Sequence, residues 1–257
     1  MKKTYLIDLD GTMYRGTQII ESAKRFVDYL IQENEEFYFL TNNAKRTKRQ
    51  NVEHMEKMGY EGIREDQFFT SSMAAAIYAK EHYKGRNAYY IGQDGLKEAL
   101  LDQGFKITEE DVDFVFVGLD TRGTYEKYSK GLHYLLNGAK LIGTNDDRLL
   151  AQPDGFSIGN GSVVAMFEYA TKQQSPKIGK PHAAILEEAL EYLHKTKEEV
   201  VLVGDNLETD ILLGVQNGVE TVFVTTGVHG VEDIERLGIK PDIIVDSLEM
   251  LVKTNRK

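Results

Sequence analysis

Short apolar segments alternate with segments of helical periodicity along this 257-residue chain. Many of the apolar segments are rich in β-branched and aromatic residues, which is typical of buried strands. Strands that alternate with helices form parallel sheets, because each helix returns the chain to the start of the next strand. We therefore predict an α/β protein built on parallel sheets. The predicted strands lie at residues 4–7, 36–40, 88–91, 114–118, 140–144, 200–203, 220–224 and 242–245. The predicted helices include residues 22–34, 73–82, 95–101, 125–136, 162–171, 182–194, 207–216 and 231–237.

The composition limits the kinds of molecule that the protein is expected to bind. There are 41 acidic and 31 basic side chains, giving a formal net charge of -10 that disfavours binding to the phosphate backbone of nucleic acid. The absence of cysteine excludes disulfides, thiolate catalysis and cysteine-based zinc sites. The first apolar run ends at Asp8, too soon for a signal peptide, and no apolar stretch approaches the roughly 20 residues of a membrane span. We expect a cytoplasmic protein without a nucleic-acid or membrane partner. Its oligomeric state stays open, with a homodimer as one option.

Two aspartates, Asp8 and Asp10, follow the first predicted strand directly. Open α/β sheets place their ligand sites at this carboxyl end, and side chains at alternate strand positions point the same way. Two neighbouring carboxylates remain ionised only at a cost unless positive charge lies near them, and a divalent cation is the usual remedy. Gly11 and Thr12 suit a tight turn close to an anionic ligand. The motif indicates a catalytic or metal site, although the same aspartates could simply begin a polar loop.

Polar residues also follow the second and the sixth predicted strands. Thr41 and Asn42 follow the second strand, and Gly204 and Asp205 follow the sixth, with Asp210 shortly after them. Because the carboxyl ends of parallel strands share one edge of a sheet, we expect these side chains to meet in one crevice. Asp210 could equally be a residue that favours the amino terminus of a helix.

Four basic residues, Lys45, Arg46, Lys48 and Arg49, are predicted to begin the helix after the second strand. The amino terminus of a helix normally favours acidic residues, so this segment either faces solvent or meets an anion. The histidines are scattered without metal-ligand spacing, and we expect them to be satisfied within the fold or to face solvent.

Four motifs, in this order along the chain, resemble those of the haloacid dehalogenase-like phosphohydrolase superfamily. They are Asp8-x-Asp10-Gly11-Thr12, Thr41, Lys180, and Gly204-Asp205 with Asp210. The segments DGTMYRG, LTNNA and GTNDD, at residues 10–16, 40–44 and 143–147, are similar to the NagD-like (p-nitrophenyl phosphatase-like) branch. The resemblance covers essentially the whole chain. It implies a Rossmann-like core at residues 1–83 and 176–257, and an inserted α/β cap domain at residues 84–175 that lies over the active site.

The resemblance implies a phosphatase that uses Mg²⁺ and an aspartyl-phosphate intermediate to hydrolyse small phosphomonoesters, such as sugar phosphates or nucleoside monophosphates. Asp8 would be the nucleophile, and Asp10 would protonate the leaving alcohol and later deprotonate the attacking water. Mg²⁺ would bind the side chains of Asp8 and Asp205 and the backbone carbonyl of Asp10, with Asp210 holding its coordination shell. Lys180 would offset the charge of Asp8 and of the substrate.

The resemblance also implies a wider set of residues around the substrate. Thr41 and the backbone amide of Asn42 would hydrogen-bond the phosphoryl oxygens. Within the cap, residues 144–147 and 159–162 are expected to contact the leaving group, although either loop could be a structural turn. The predicted phosphate- and substrate-binding residues are Gly11, Thr12, Thr41, Asn42, Asn43, Lys180, Asn145, Asp147 and Asn206.

Two other functions fit part of this pattern. A phospho-accepting receiver-like protein also combines acidic residues, a hydroxyl residue and a lysine around Mg²⁺, but it lacks a large cap. Asp10 argues against it, because a group placed to activate water makes a poor long-lived phosphoryl store. A phosphotransferase or mutase shares the core and usually carries a smaller, helical cap. Steady multiple turnover of p-nitrophenyl phosphate distinguishes an enzyme from a receiver, and phosphate release from many substrates favours a hydrolase.

Overall fold

The computed structural model describes residues 3–152 and 155–254. Its strands are β1 (Thr4–Ile7), β2 (Tyr14–Arg15), β3 (Gln18–Ile19), β4 (Phe37–Thr41), β5 (Phe68–Thr70), β6 (Asn87–Ile91), β7 (Lys106–Ile107), β8 (Phe114–Val117), β9 (Lys140–Gly143), β10 (Leu149–Gln152), β11 (Gly155–Ile158), β12 (Val200–Gly204), β13 (Glu220–Val224) and β14 (Ile243–Val245). Its α-helices are α1 (Glu21–Gln32), α2 (Lys48–Glu56), α3 (Ser71–His82), α4 (Asp94–Asp102), α5 (Tyr125–Leu136), α6 (Asn160–Thr171), α7 (Ala183–Leu193), α8 (Leu212–Asn217), α9 (Glu232–Leu237) and α10 (Glu249–Thr254). In this described part of the chain, none of the helices has both the length and the apolar composition needed to cross a membrane.

These residues form two compact units. The first comprises the described residues of Met1–Thr41, Arg49–Phe69 and Ala189–Lys257, and the second comprises Asn42–Lys48 together with the described residues of Thr70–Glu188. The second unit therefore contains the predicted insert and also flanking residues that are predicted to belong to the core.

The first unit is built on a six-stranded sheet with the order β14-β13-β12-β1-β4-β5. β1 pairs in parallel with both β12 and β4, so that Ile7 is opposite Val203 on one side and Phe39 on the other. β12, β13 and β14 are also paired in parallel. β12 is buried along its whole length, as expected for a strand inside a sheet covered on both faces. This register places the carboxyl ends of β1, β4 and β12 at one edge, as the alternating pattern predicts.

The apolar face of α1 contributes to the core of the first unit. It buries Phe26, Val27 and Leu30 at helical spacing, in the same cluster as Phe39 of β4. The ring of Phe26 meets that of Tyr5 edge to face, with 5.4 Å between the centroids. Each fully buried side chain of this kind contributes about 1.5–3 kcal/mol to stability, so α1 is held mainly by this packing.

The second unit is built on a four-stranded parallel sheet with the order β7-β6-β8-β9. All residues of β8 are buried. Val164 and Phe167 of α6 belong to one apolar cluster with Val115 and Val117 of β8. The ring of Phe167 also meets that of Tyr128 edge to face, at 6.3 Å. The prediction of an inserted α/β domain is confirmed by this second sheet and its helices.

Two antiparallel hairpins, β2–β3 and β10–β11, depart from the parallel pattern. The strands of the first hairpin have two residues each, too few to show an alternation in the sequence. In the second hairpin, Leu149 is opposite Ile158 and both side chains are exposed. The sequence pattern does not predict these hairpins, because the first is too short to show an alternation and the second exposes the described apolar side chains of Leu149, Phe156 and Ile158.

We expect Phe167→Ala to lower the free energy of unfolding by about 3–5 kcal/mol, because it removes a buried aromatic side chain and leaves a cavity. Phe167 is 1% exposed, whereas Phe156 of β11, in the same unit, is 74% exposed. Phe156→Ala is therefore the matched control, and it should change the free energy by no more than about 0.5 kcal/mol. Denaturant unfolding measures both. Equal effects of the two substitutions would contradict this assignment of the core.

Candidate active site

Three carboxylates from two distant parts of the sequence meet in the first unit. Asp8 follows β1, Asp205 follows β12, and Asp210 lies in the turn after Asp205. One carboxylate oxygen of each lies within 4.8 Å of the others. Asp205 and Asp210 are buried, so water screens their mutual repulsion only weakly. Three such oxygen ligands form a donor set that suits a hard divalent cation such as Mg²⁺.

The carboxylate of Asp205 is held by both of its oxygens. The hydroxyl of Thr12 donates to Oδ1 (2.8 Å), and the backbone N–H of Val228 donates to Oδ2 (2.7 Å). A Cβ atom would lie 2.3 Å from Oδ2 at Gly11 and 1.8 Å from Oδ2 at Gly227. Only glycine allows the chain to approach so closely at these positions, and Gly11 also has a φ of +100°. These contacts fix the orientation of the carboxylate.

Asp210 is presented by a π-helical turn, Leu207–Ile211, rather than by the regular helix that the sequence predicts. Its Oδ2 accepts a hydrogen bond from the backbone N–H of Asn206 (3.2 Å). Oδ1 of Asn206 caps the turn by accepting from the N–H of Glu208 (2.9 Å). A Cβ atom at Gly204 would lie 2.3 Å from Cβ of Asp210, so the glycine before Asp205 is needed for this approach. π-Helical turns are frequent at functional sites.

Asp10 and Thr41 are the other predicted catalytic residues of the first unit. Asp10 is exposed and forms an isolated bridge with Tyr14. The backbone N–H of Gly11 donates to the carbonyl of Tyr14 (2.8 Å), which closes the turn after β1. Thr41 is the buried last residue of β4, the neighbour of β1. Both residues therefore belong to the sheet edge that carries Asp8.

In the second unit, the side chain of Asn42 connects two other predicted site residues. Its Oδ1 accepts from the backbone N–H of Lys180 (2.8 Å), and its Nδ2 donates to the backbone carbonyl of Lys180 (3.0 Å). The same Nδ2 lies 3.1 Å from Oδ1 of Asp147. Nδ2 of Asn145 donates to the backbone carbonyl of Asn42 (2.9 Å). Residues from three segments of the sequence are thus joined, and Lys180 is buried.

The loop at residues 144–147 is supported by Asn160, whose role the sequence analysis does not resolve. Nδ2 of Asn160 lies within hydrogen-bond distance of the carbonyls of Val117 (3.0 Å) and Asn145 (3.1 Å). A Cβ atom at Gly161 would lie 2.2 Å from the backbone carbonyl carbon of Asp146. For Asn160 and Gly161, these contacts favour a structural turn over contact with the leaving group.

Asp146 forms an ionic cluster beside the predicted substrate residues. Nε2 of His182 lies 2.9 Å from Oδ2 of Asp146, and Nζ of Lys177 lies 3.4 Å from the same oxygen. The hydrogen bond from His182 and the charge of Lys177 hold the pKa of Asp146 below its usual range, although partial burial acts in the opposite direction. This pairing has no sequence signal, since the partners lie far apart along the chain.

Asn43, Lys45 and Arg46 lie before α2, whereas Lys48 and Arg49 are its first two residues. Oδ1 of Asn43 accepts from the backbone N–H of Lys45 (3.2 Å). Nζ of Lys48 lies 2.8 Å from a carboxylate oxygen of Asp102. Arg49 is exposed and pairs with a carboxylate one helical turn further on. The pairing of Lys48 and Arg49 favours the interpretation that they belong to a solvated face.

The chain matches the Haloacid dehalogenase-like hydrolase family at residues 5–106 and the HAD-hydrolase-like family at residues 177–251. It is 39% identical over 251 residues to an acid sugar phosphatase of Staphylococcus epidermidis, covering 97% of this chain and 96% of that protein. It is 39% identical over 250 residues to the 5'-nucleotidase YutF of Bacillus subtilis, covering 96% of each. Among solved structures, a double mutant of the thermostable NPPase from Geobacillus stearothermophilus has a TM-score of 0.87 and 39% identity, over 96% of this chain and 97% of that one.

The parallel sheet, the aspartates at its strand ends and these matches define a phosphoric monoester hydrolase of the HAD fold. The chain belongs to the haloacid dehalogenase-like hydrolase superfamily, in its NagD-like (p-nitrophenyl phosphatase-like) branch. The family predicted from the sequence motifs is thereby confirmed.

We expect Mg²⁺ to raise the melting temperature of the protein, and to do so far less in Asp205→Asn. A cation that binds only the folded state adds about 2.7 kcal/mol of stability at 100 times its Kd, and the substitution removes one of the three charged ligands. Asp66→Asn is the control, because Asp66 is exposed and pairs with Arg64. Scanning calorimetry with increasing MgCl₂, against NaCl of equal ionic strength, measures the shift. An undiminished shift in Asp205→Asn would argue against a cation site at this cluster.

Proposed function

We propose that the protein is a Mg²⁺-dependent phosphatase that hydrolyses small phosphomonoesters through an aspartyl-phosphate intermediate. The observation that carries the proposal is the cluster of Asp8, Asp205 and Asp210 beyond the carboxyl ends of parallel strands. The proposed substrates are sugar phosphates and nucleoside monophosphates, because relatives are named an acid sugar phosphatase and a 5'-nucleotidase. These names also favour hydrolysis over phosphotransfer and over a receiver-like function.

Charge is the main obstacle that such an enzyme must overcome. Uncatalysed hydrolysis of phosphate monoesters is so slow that up to ~10²¹-fold acceleration is left to the enzyme. An anionic nucleophile is repelled by an anionic phosphate, so fixed positive charge is the chief remedy. A bound Mg²⁺ ion supplies such charge, and Asp8, Asp205, Asp210 and the backbone carbonyl of Asp10 are the groups that would hold it. The ammonium group of Lys180 is the proposed second source.

The reaction then takes place in two displacements. A carboxylate oxygen of Asp8 attacks phosphorus, and the bond from phosphorus to the leaving oxygen breaks. Protonated Asp10 gives its proton to that oxygen. Asp10, now a carboxylate, next removes a proton from water, whose oxygen attacks the aspartyl-phosphate and releases inorganic phosphate and Asp8. Asp10 is exposed, so that substrate and water can reach its carboxylate.

Polar groups outside the acidic cluster are proposed to bind the substrate. Thr41 and the backbone amide of Asn42 donate hydrogen bonds to the phosphoryl oxygens, which become more negative in the transition state. Asn145 and Asp147 contact the leaving group, and the amide and carboxylate of this pair suit the hydroxyl groups of a sugar.

Asp8→Asn should abolish turnover of p-nitrophenyl phosphate, because a neutral amide neither attacks phosphorus nor forms the acyl-phosphate bond. The expected loss is at least about 10⁴-fold, as for the removal of other covalent nucleophiles. Asp66→Asn, at an exposed carboxylate, should keep wild-type kcat. Steady-state assays of p-nitrophenolate release with Mg²⁺ measure both variants. Full activity in Asp8→Asn would rule out Asp8 as the nucleophile.

Asp10→Asn should slow hydrolysis of the aspartyl-phosphate more than its formation when the substrate is p-nitrophenyl phosphate. p-Nitrophenolate leaves without protonation, whereas water must lose a proton to a general base. We expect a burst of p-nitrophenolate equal to the enzyme concentration, followed by turnover about 10²–10⁴-fold slower than in the wild type. Stopped-flow absorbance detects the burst, and mass spectrometry of the quenched protein locates the phosphoryl group. A uniformly slow reaction without a burst contradicts the role of Asp10 as the base.

A further inference from the structure

The side-chain carboxamide of Asn42 forms one hydrogen bond as acceptor and one as donor, both with the backbone of Lys180. Oδ1 accepts from the N–H of Lys180 at 2.8 Å, and Nδ2 donates to the carbonyl of Lys180 at 3.0 Å. Both backbone groups of Lys180 are therefore bound by a single side chain. A carboxamide can do this because it carries an acceptor oxygen and a donor nitrogen side by side.

The same Nδ2 reaches the loop at residues 144–147. It lies 3.1 Å from Oδ1 and 3.3 Å from Oδ2 of Asp147. The backbone of Asn42 is itself anchored, because Nδ2 of Asn145 (2.9 Å) and the hydroxyl of Ser71 (2.8 Å) both donate to its carbonyl. Asn42 is thus tied to the loop through its side chain and through its backbone.

The packing leaves little freedom at this junction. A Cβ atom at Gly179 would lie 2.8 Å from Oδ1 of Asn42 and 2.6 Å from Cβ of Asn145. Lys180 itself is only 3% exposed. A small shift of the Asn42 carboxamide would therefore move the backbone from which the Lys180 ammonium is projected.

We infer that Asn42 is a positioning residue. Its side chain sets the position of Lys180 and links Lys180 to the loop at residues 144–147. This inference rests on the proposed function, in which Lys180 supplies positive charge to the reacting phosphoryl group. The backbone amide of Asn42 is already expected to bind phosphate, and the inference gives its side-chain carboxamide a separate role. A shift of about 1 Å in a group that stabilises a transition state can reduce the rate 10²-fold. Loss of the carboxamide should therefore lower kcat more than it raises KM.

Three variants test this inference. Asn42→Ala removes all three side-chain contacts, and we expect kcat for p-nitrophenyl phosphate to fall about 100-fold, with KM changed much less. Asn42→Asp keeps an acceptor for the Lys180 N–H but sets a carboxylate against Asp147, so its kcat should fall at least as far. Adding Asp147→Asn to Asn42→Asp returns a donor to this pair, and kcat should partly recover. Asn137→Ala is the matched control, because Asn137 is exposed in the same unit and its Nδ2 bonds the carbonyl of His133.

A second measurement follows Lys180 directly. In protein labelled at the lysine Cε carbons, the resonance of Lys180 is assigned by its loss in Lys180→Arg. Asn42→Ala should shift this resonance, whereas Asn137→Ala should leave it in place. A purely structural effect of Asn42 would instead lower stability and leave the resonance and kcat of the folded protein unchanged, which would overturn the inference.

The outcomes separate this inference from the proposed function. If wild-type protein turns over substrate but Asn42→Ala alters neither kcat nor the Lys180 resonance, the inference fails and the phosphatase proposal stands. A rise in KM alone would also overturn it, since Asn42 would then contact only the substrate. If the wild type shows no phosphatase turnover, the proposed function fails, and the resonance alone decides whether Asn42 positions Lys180.

Discussion

Repulsion among three carboxylates is the constraint on which the first unit depends. Folding brings oxygens of Asp8, Asp205 and Asp210 within 4.8 Å of one another, and Asp205 and Asp210 are buried. Burying a charge is costly unless hydrogen bonds or an opposite charge compensate it. Two donors already hold Asp205, from Thr12 and Val228. A divalent cation held by these oxygens would compensate their negative charge further.

Local patterns in the sequence are sufficient to predict most of the helices and strands. The predicted helix at residues 125–136 and the predicted strand at residues 220–224 agree with α5 and β13 at both ends. Both are long enough, and have apolar residues at the right spacing, for the periodicity to predict the type of element. The predicted helix at residues 207–216 is instead a π-helical turn followed by α8. Its apolar residues fit a helix, but periodicity does not report the close approach of Asp210 to Gly204 and to the backbone N–H of Asn206.

The candidate site also has residues that the sequence predicts and contacts that it does not. Asp8, Asp205 and Asp210 are predictable because each follows a strand or begins a helix. The contacts that orient them are not, because Gly227 and Val228 lie in a loop with no recognisable motif of their own. Asn42 is an intermediate case. Its motif predicts a role for its backbone amide, but only the folded chain shows that its side chain binds Lys180 and Asp147.

The two units hold their polar loops by different kinds of interaction. In the first, the buried carboxylates of Asp205 and Asp210 accept hydrogen bonds from a hydroxyl and from backbone N–H groups. In the second, the carboxamides of Asn42, Asn145 and Asn160 hold the loop at residues 144–147, together with the ion pairs of Asp146. A carboxamide satisfies both N–H and C=O groups of irregular backbone without adding charge. Because buried charge acts over a longer range than a neutral hydrogen bond, these carboxamides hold irregular backbone with less effect on the surrounding charges than ionic side chains would have.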